Sequence, residues 1–380
     1  MSVLAAALSL WASVAFAYRA LALRAVAALC APPDDDEAAG SHADAVGAAR
    51  GASGLAAGAV VALRPLRGAG AGTEACLESL LDAAERAGAQ VWLGVEDAAD
   101  PAAPLARAAL ARRPGLRAEL RVGRGPDGAN RKVANLLQAA AGRKADLWLL
   151  TDGDVRVPPG YAMRMAAACE APGVGFATSP YRSVPARSVA SRLDALLTNT
   201  HFLPSVCFAA RLEGVHFGLG ASIAVRGDAL ERAGGFEALL PLAADDYGLA
   251  QHVEAAGYAL AFAPVVVEHV LEDEGWGAAL GRQLRWARAT RSARPLGYAG
   301  QLSVHGAPPV LGLAALWLAA GGPGWLLPLG WWAVQLAHLW RRRTVLGLRA
   351  SDLAWLPAVD VLAVAVWAGG LVGEPEPPRA

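Results

Sequence analysis

Leu147-Trp148-Leu149-Leu150-Thr151-Asp152-Gly153-Asp154 is the stretch on which the fold turns. A short apolar run ending in two acids reads as a buried strand with carboxylates just past its end. Outward from it, short apolar runs recur at Val60–Leu63, Val91–Val95, Leu116–Val122, Gly175–Thr178, Ala221–Val225 and Val265–His269. Helical stretches lie between them, at Thr73–Ala87, Pro104–Arg112, Lys132–Ala141, Tyr161–Cys169, Arg187–His201 and Asp246–Ala255. Such alternation predicts an α/β domain with a mostly parallel sheet, whose ligands gather at the carboxyl ends of strands. Asp97 follows one such end and Asp152 another.

Apolar residues make up 55% of the 380-residue chain, and the mean hydropathy is +0.33. That balance fits a protein partly within a bilayer. The formal net charge is zero, which gives no electrostatic footprint for nucleic acid. Basic charge is nearly all arginine, with Lys132 and Lys144 the lysines; this Ala/Gly/Arg-rich usage is that of a GC-rich bacterial genome. Cys30, Cys76, Cys169 and Cys207 are widely spaced without a C-x-x-C, against a disulfide framework or zinc site.

Ser2 to Tyr18 carries no charge, and apolar character resumes around Arg19 and Arg24 as far as Leu29. With no Lys or Arg before it, this reads as a membrane anchor rather than a cleaved signal. Arg19 and Arg24 would place its C-terminal side in the cytoplasm. The acid run Asp34-Asp35-Asp36-Glu37 with its Ala/Gly/Ser-rich sequel reads as a solvated linker. Three further spans are expected near Val304–Gly321, Trp325–Trp340 and Leu353–Val372, the second closed by Arg341-Arg342-Arg343. The expected division is an anchor over 1–29, a linker over 30–57, an α/β domain over 58–275, a basic interfacial helix over 276–298 and membrane segments over 303–373.

Several residues carry chemistry. Arg64-Pro65-Leu66-Arg67-Gly68 follows the first strand, either as a turn over a ligand edge or simply as a strand-to-helix turn. Asp97 can accept hydrogen bonds from a base or ribose, whereas Asp100, before Pro101, better fits a helix N-cap. Lys132 opens a helix after the Gly-rich 123–128 loop, a ready anion site. Asp152 and Asp154 suit a hard divalent cation, Mg²⁺ or Mn²⁺, that completes its shell with phosphates. Asp245-Asp246 begins a helix, where Asp245 can cap and Asp246 can act as a base with its pKa raised by its neighbour. Arg282, Arg285, Arg288, Arg291 and Arg294 follow at intervals of three on a Trp-bearing helix. Lying beside the spans, this helix suits an interface with anionic lipid headgroups. The pair Arg285-Trp286, after two acid pairs, also suits a diphosphate.

In this order the residues resemble the Asp, Asp-x-Asp, Asp, (Gln/Arg)-x-x-Arg-Trp signature of inverting, GT-A-fold family 2-type glycosyltransferases. The chain is more similar still to the ceramide glucosyltransferase branch, family 21, which includes bacterial hopanoid-associated enzymes. The similarity runs over roughly 58–295 through Leu63–Gly68, Glu96–Pro101, Asn130–Leu136, Thr151–Val157, Gly218–Val225, Ala244–Tyr247 and Arg282–Trp286. It implies a GT-A-type α/β domain with one N-terminal and about three C-terminal transmembrane helices, and a hexosyltransferase that uses a UDP-sugar. By position, Asp97, Lys132, Asp152 and Arg282 would bind the nucleotide, Asp152 and Asp154 the metal, and Asp246 would be the catalytic base. Arg285 and Trp286 would complete the catalytic set, and the segment Arg187–Phe217, with His201 and His216, would face a lipid acceptor.

The implied donor is UDP-glucose or UDP-N-acetylglucosamine. The acceptor is a membrane lipid hydroxyl: a hopanoid such as bacteriohopanetetrol first, since Asp152-Gly153-Asp154 keeps both acids where ceramide enzymes have one Asp followed by Ser-Gly, and a ceramide-type sphingolipid next. The implied setting is a bacterial inner membrane with the catalytic domain in the cytoplasm. A processive polysaccharide synthase, a polyprenyl-phosphate sugar synthase and an inactive membrane scaffold are the alternatives.

Overall fold

The computed structural model describes residues 2–30 and 60–374; residues 31–57 of the expected linker lie outside them. The chain falls into two compact units, one built from the described parts of 29–181 and 212–272, the other from those of 1–28, 182–211 and 273–375.

The described residues form ten strands: β1 Val60–Leu66, β2 Gln90–Val95, β3 Ala118–Val122, β4 Leu147–Thr151, β5 Val155–Arg156, β6 Val174–Thr178, β7 Tyr181–Val184, β8 Ser222–Arg226, β9 Ala259–Phe262 and β10 Val267–Val270. Seven of them build the central sheet of the first unit in the order β3-β2-β1-β4-β8-β6-β9. Parallel pairing joins β1 to β2 and β4, β2 to β3, and β6 to β9. Only β8 runs against its neighbours, antiparallel to both β4 and β6. All five residues of β4 are buried, as its unbroken apolar run requires of a strand covered on both faces. From within it, Trp148 packs edge-on against Trp92 and Phe236, with ring centroids 5.5 Å apart in each pair.

Arg64 departs from the sequence reading. It lies within β1 and is fully buried, not in a turn after the strand. Its guanidinium donates to Thr151 Oγ1 at 2.9 Å, the Cys76 carbonyl at 2.8 Å and the Val155 carbonyl at 2.9 Å. Pro65 follows inside the same strand, beyond Leu63, where the ladder to β4 stops.

The second unit is helical. The expected helix over Arg187–His201 is Val189–Leu197, and it continues through a π-helical turn, Thr198–Phe202, into Leu203–Leu212. Pro204 has no N–H for the Thr200 carbonyl four residues back. That oxygen accepts instead from Arg19 Nη1. Arg19 therefore does not flank the N-terminal span: the helix runs on from Ser2 to Leu29, and the arginine is buried within it.

Among the described residues three helical segments are long and apolar enough to cross a membrane: Val3–Leu29, Pro295–Ala319 and Ala350–Gly370. Two of the three expected C-terminal spans are thus matched. The other is the helix Leu326–Arg342, of 17 residues. At 1.5 Å per residue it falls short of a bilayer core about 30 Å thick, and it carries Gln335, His338, Arg341 and Arg342.

Candidate active site

Strand direction assembles the site. Because β8 is antiparallel to β4, Ser222 at its start lies opposite Thr151 at the end of β4. The Gly218–Gly220 segment before β8 therefore reaches the same sheet edge as Asp152. Two helix N-termini complete this edge, Arg131–Ala140 and Asp245–Ala255. Asn130 ties them together: its Oδ1 accepts from Val133 N, and its Nδ2 donates to the Leu242 carbonyl and to Asp245 Oδ1. From the first of these helices Asn135 reaches back to donate to the Leu66 and Gly94 carbonyls, at the ends of β1 and β2.

Lys132, Asp152 and Asp246 are brought together, with Asp245 as a fourth member. Lys132 Nζ stands 2.6 Å from Asp152 Oδ1 and 3.3 Å from Asp245 Oδ2. Asp246 Oδ2 accepts from Gly220 N and its Oδ1 from Tyr247 N, each at 2.8 Å. Glycine is needed at 218, where a Cβ would come within 2.3 Å of the Asp246 carbonyl oxygen. A cavity of about 10 Å³ lies among Pro65, Lys132, Asp152, Gly220, Asp245 and Asp246. That is room for about one water, so a larger ligand must bind over this group, not inside it.

Burial, and then the neighbouring Asp245 charge, push the Asp246 carboxyl up to about 6, against the pull of Lys132 and the two backbone N–H groups. Burial also opposes charge on Lys132, but the Asp152 and Asp245 carboxylates outweigh it and hold the ammonium firmly protonated. The group thus combines a fixed cation with a carboxyl poised near neutrality, the pairing needed where an anion binds beside a proton transfer.

Asp154 faces elsewhere. Its half-exposed carboxylate lies 3.3 Å from His269 Nε2, on β10, and its backbone carbonyl accepts from Val270 N. The carboxylate suits Mn²⁺ or Mg²⁺, and the imidazole adds a nitrogen donor that Mg²⁺ does not favour. Among the described residues no group of three or more His, Cys, Asp or Glu side chains is placed to hold a metal. A cation here would need most of its shell from phosphate oxygens and water, as Mg²⁺ commonly does.

Asp97 stands apart, exposed past the end of β2, with its carboxylate accepting from Ala99 N at 2.9 Å. Asp100 takes the capping role, accepting from Ala102 N at 2.8 Å and clamping Gly68 N at 2.9 Å.

Arg282, Arg285 and Trp286 belong to the other unit, on the helix Trp276–Ala293. Arg282 is committed there to the buried Asp194, at 2.8 Å, and to Glu274, at 2.8 Å. Gln283 adds a 2.5 Å bond to the same Asp194. Arg285 makes no ion pair among the described residues and is half-buried.

Sequence reading passed over Asp245 as a second partner of Lys132, the glycines before β8, and His269. The glycines were visible as Gly-x-Gly ahead of a strand, and His269 as a polar residue at a strand's end. Neither pattern names its partner.

The model of the family described as glycosyl transferase family 21 matches residues 8–375. Among solved structures the chain is similar to a mannosyltransferase from Pyrobaculum calidifontis, solved with GDP-mannose and Mn²⁺. The two share 17% identity over 93% of this chain and 99% of that one, with a TM-score of 0.47. It is also similar to glucosyl-3-phosphoglycerate synthase from Mycobacterium tuberculosis. With Mg²⁺ and UDP bound, that structure shows 16% identity over 65% of this chain and 83% of that one, TM-score 0.40. With Mn²⁺ and UDP-glucose the figures are 18%, 65%, 82% and 0.38. A family match over nearly the whole length settles the class: this chain belongs to glycosyl transferase family 21.

Proposed function

We propose that this glycosyltransferase moves a hexose or N-acetylhexosamine from a UDP-sugar to the hydroxyl of a membrane lipid, with inversion. The observation that carries the reading is Asp246: a carboxyl fixed by two backbone N–H bonds, with its pKa pushed up to about 6, beside a lysine held charged. In this reading Asp246 takes the proton of the acceptor hydroxyl as that oxygen attacks the anomeric carbon in line. The bond from that carbon to the diphosphate breaks, and UDP leaves with the electron pair.

Lys132 and Arg285 would receive the charge that develops on the diphosphate. Asp97 would hold the uridine, and Trp286 would shape the acceptor end. A divalent cation would be held by the Asp-x-Asp segment, with Asp154 and His269 offering the suitably placed donors. When bound, it supplies Lewis-acid stabilisation of the departing diphosphate. Asp152, with Lys132 already at 2.6 Å, would set the lysine as much as the metal.

Arg282 is less suited to a donor phosphate than the notation of the motif suggests, since two carboxylates already share it. The proposed setting is a bacterial inner membrane, with the catalytic domain over 58–275 cytoplasmic. A hopanoid is the favoured acceptor and a ceramide-type lipid the next. The three segments apolar enough to cross a membrane support a lipid product over a polysaccharide channel, which needs more helices around it.

The test is transfer from radiolabelled UDP-glucose or UDP-N-acetylglucosamine into extractable lipid by the full-length protein in membranes. Wild type should label a lipid, and Asp246→Asn should abolish labelling while UDP still binds. Loss of UDP binding in a folded Asp246→Asn protein would overturn the role given to Asp246. Mass spectrometry of lipids from a deletion strain would identify the sugar and the acceptor.

A further inference from the structure

Arg19 lies within a span-length apolar helix and is 8% exposed, yet only one of its nitrogens is engaged: Nη1, on the Thr200 carbonyl. Nε and Nη2 have no partner among the described residues. In the same helical unit Gln335 is 5% exposed, and its Oε1 is likewise unpartnered. Its orientation is not arbitrary, because Nε2 donates to Asp360 Oδ2 at 3.1 Å, turning Oε1 away from the carboxylate. Asp360 itself is saturated. Oδ2 also accepts from Trp331 Nε1 at 3.2 Å and Trp332 Nε1 at 2.9 Å, while Oδ1 lies 3.2 Å from His201 Nε2. Arg19 stands within electrostatic range of this carboxylate.

Two guanidinium donors and one amide acceptor are thus left without partners among apolar helices. Buried polar groups are normally satisfied, and ionisable ones at membrane depth mark binding sites or pathways. We propose that this cluster binds the uncharged, hydroxyl- or amide-bearing polar end of a membrane lipid, which accepts from Arg19 Nε and Nη2 and donates to Gln335 Oε1. A hydroxyl or secondary amide can do both. A phosphate would bring a second negative charge towards Asp360 and has no proton for Gln335. Asp360 acts as a positioning residue, holding Gln335 in its orientation and balancing the charge of Arg19. That the lipid is the sugar acceptor rests on the proposed function; that the cluster binds such a lipid does not.

The experiment uses the full-length protein in neutral detergent, with ceramide, diacylglycerol or phosphatidylglycerol added and retention read by native mass spectrometry. Two variants are compared. Arg19→Lys keeps the charge and the reach to Thr200 but removes the fork, and Gln335→Leu keeps the size but removes the acceptor. Wild type should retain ceramide or diacylglycerol over phosphatidylglycerol. Each variant should lose about tenfold in that affinity, the scale of one lost buried hydrogen bond, while its lipid-free unfolding temperature stays near that of wild type. If either variant fails to fold, the other carries the comparison.

Undiminished lipid retention in a folded variant, a preference for phosphatidylglycerol, or no retention of any of the three lipids would each overturn the proposal. A raised KM for the lipid at unchanged kcat in the variants would identify it as the acceptor. Lost retention at unchanged KM would identify a bilayer lipid that is not a substrate, and the site would stand. Lost retention in a protein that glycosylates no lipid would refute the proposed function and leave the site intact.

Discussion

Gly220 and Asp246 meet through a 2.8 Å bond from the glycine's backbone N–H to Oδ2 of the carboxylate. A Cβ at 220 would lie 3.2 Å from that same oxygen and 3.5 Å from Lys132 Nζ. The bond stabilises the ionised carboxylate, whereas burial and Asp245 oppose it, and opposition wins. A carboxyl that titrates near neutrality, as the proposed base requires, is the outcome.

The pH dependence follows with its sign. As the proposed base, Asp246 would act only when ionised, and its pKa is raised to about 6, so kcat/KM should rise with pH through that region and level off above it. Below the limb the rate should fall about tenfold per pH unit. Asp245→Asn removes a charge that raises the pKa, and should move the limb to lower pH. An acid limb that does not move in this variant would contradict the electrostatic account.

Gly218→Ala should damage catalysis more than folding. Its Cβ would press against the Asp246 backbone oxygen at 2.3 Å, and that oxygen cannot rotate away. Displacing the base by a fraction of an ångström should cost on the order of a hundredfold in kcat. Gly115→Ala, where nothing lies within 4 Å, serves as the control and should leave the rate unchanged. Equal rates for the two variants would remove the need for close approach at 218.

Metal dependence should run through His269. Chelation is expected to abolish transfer, and His269→Ala should raise the Mn²⁺ concentration for half-maximal activity by about tenfold or more. Saturating Mn²⁺ should restore much of the rate. A metal titration identical to wild type would place the cation elsewhere.

Arg282 should behave as a structural residue. Asp194 is 3% exposed and receives both Arg282 and Gln283. Arg282→Met leaves that carboxylate without its cation, at a cost of about 3–5 kcal/mol. The double variant Arg282→Met, Asp194→Leu should recover much of the loss, read as unfolding temperature in detergent. If Arg282→Met instead keeps its stability and loses UDP binding, the arginine serves the donor.

What could be read in advance depended on the range of the forces involved. β4 was legible because five residues suffice to state burial, and Asp100 as a cap because its partner Ala102 is two residues on. Lys132 was legible as a cation at a helix start, but its two carboxylate partners come from distant strands and helices. Arg64 was misplaced for the same reason. An arginine and a proline end an apolar pattern on paper, whereas three hydrogen-bond acceptors from elsewhere keep that guanidinium in the sheet. Arg19 was read as a span's flank, because nothing in its own helix reveals the carbonyl that Pro204 leaves open. β9 was passed over although Ala259-Leu260-Ala261-Phe262 is apolar, because the run continues without a polar break into Ala263-Pro264-Val265 and nothing local marks where the strand stops.

The reversed strand has a consequence for how the enzyme comes into being. β4 and β6 do not pair with each other; β8 is made well after both and must thread between them. Until then β4 offers a bare apolar edge, and the glycine segment has no fixed place. One late, non-local insertion therefore both seals the sheet and places Gly220, whose N–H holds the proposed base. A nascent chain that stalls before Arg226 is at once inactive and a template for pairing with other chains. For this fold, sealing the sheet and seating the loop that later holds Asp246 are the same event.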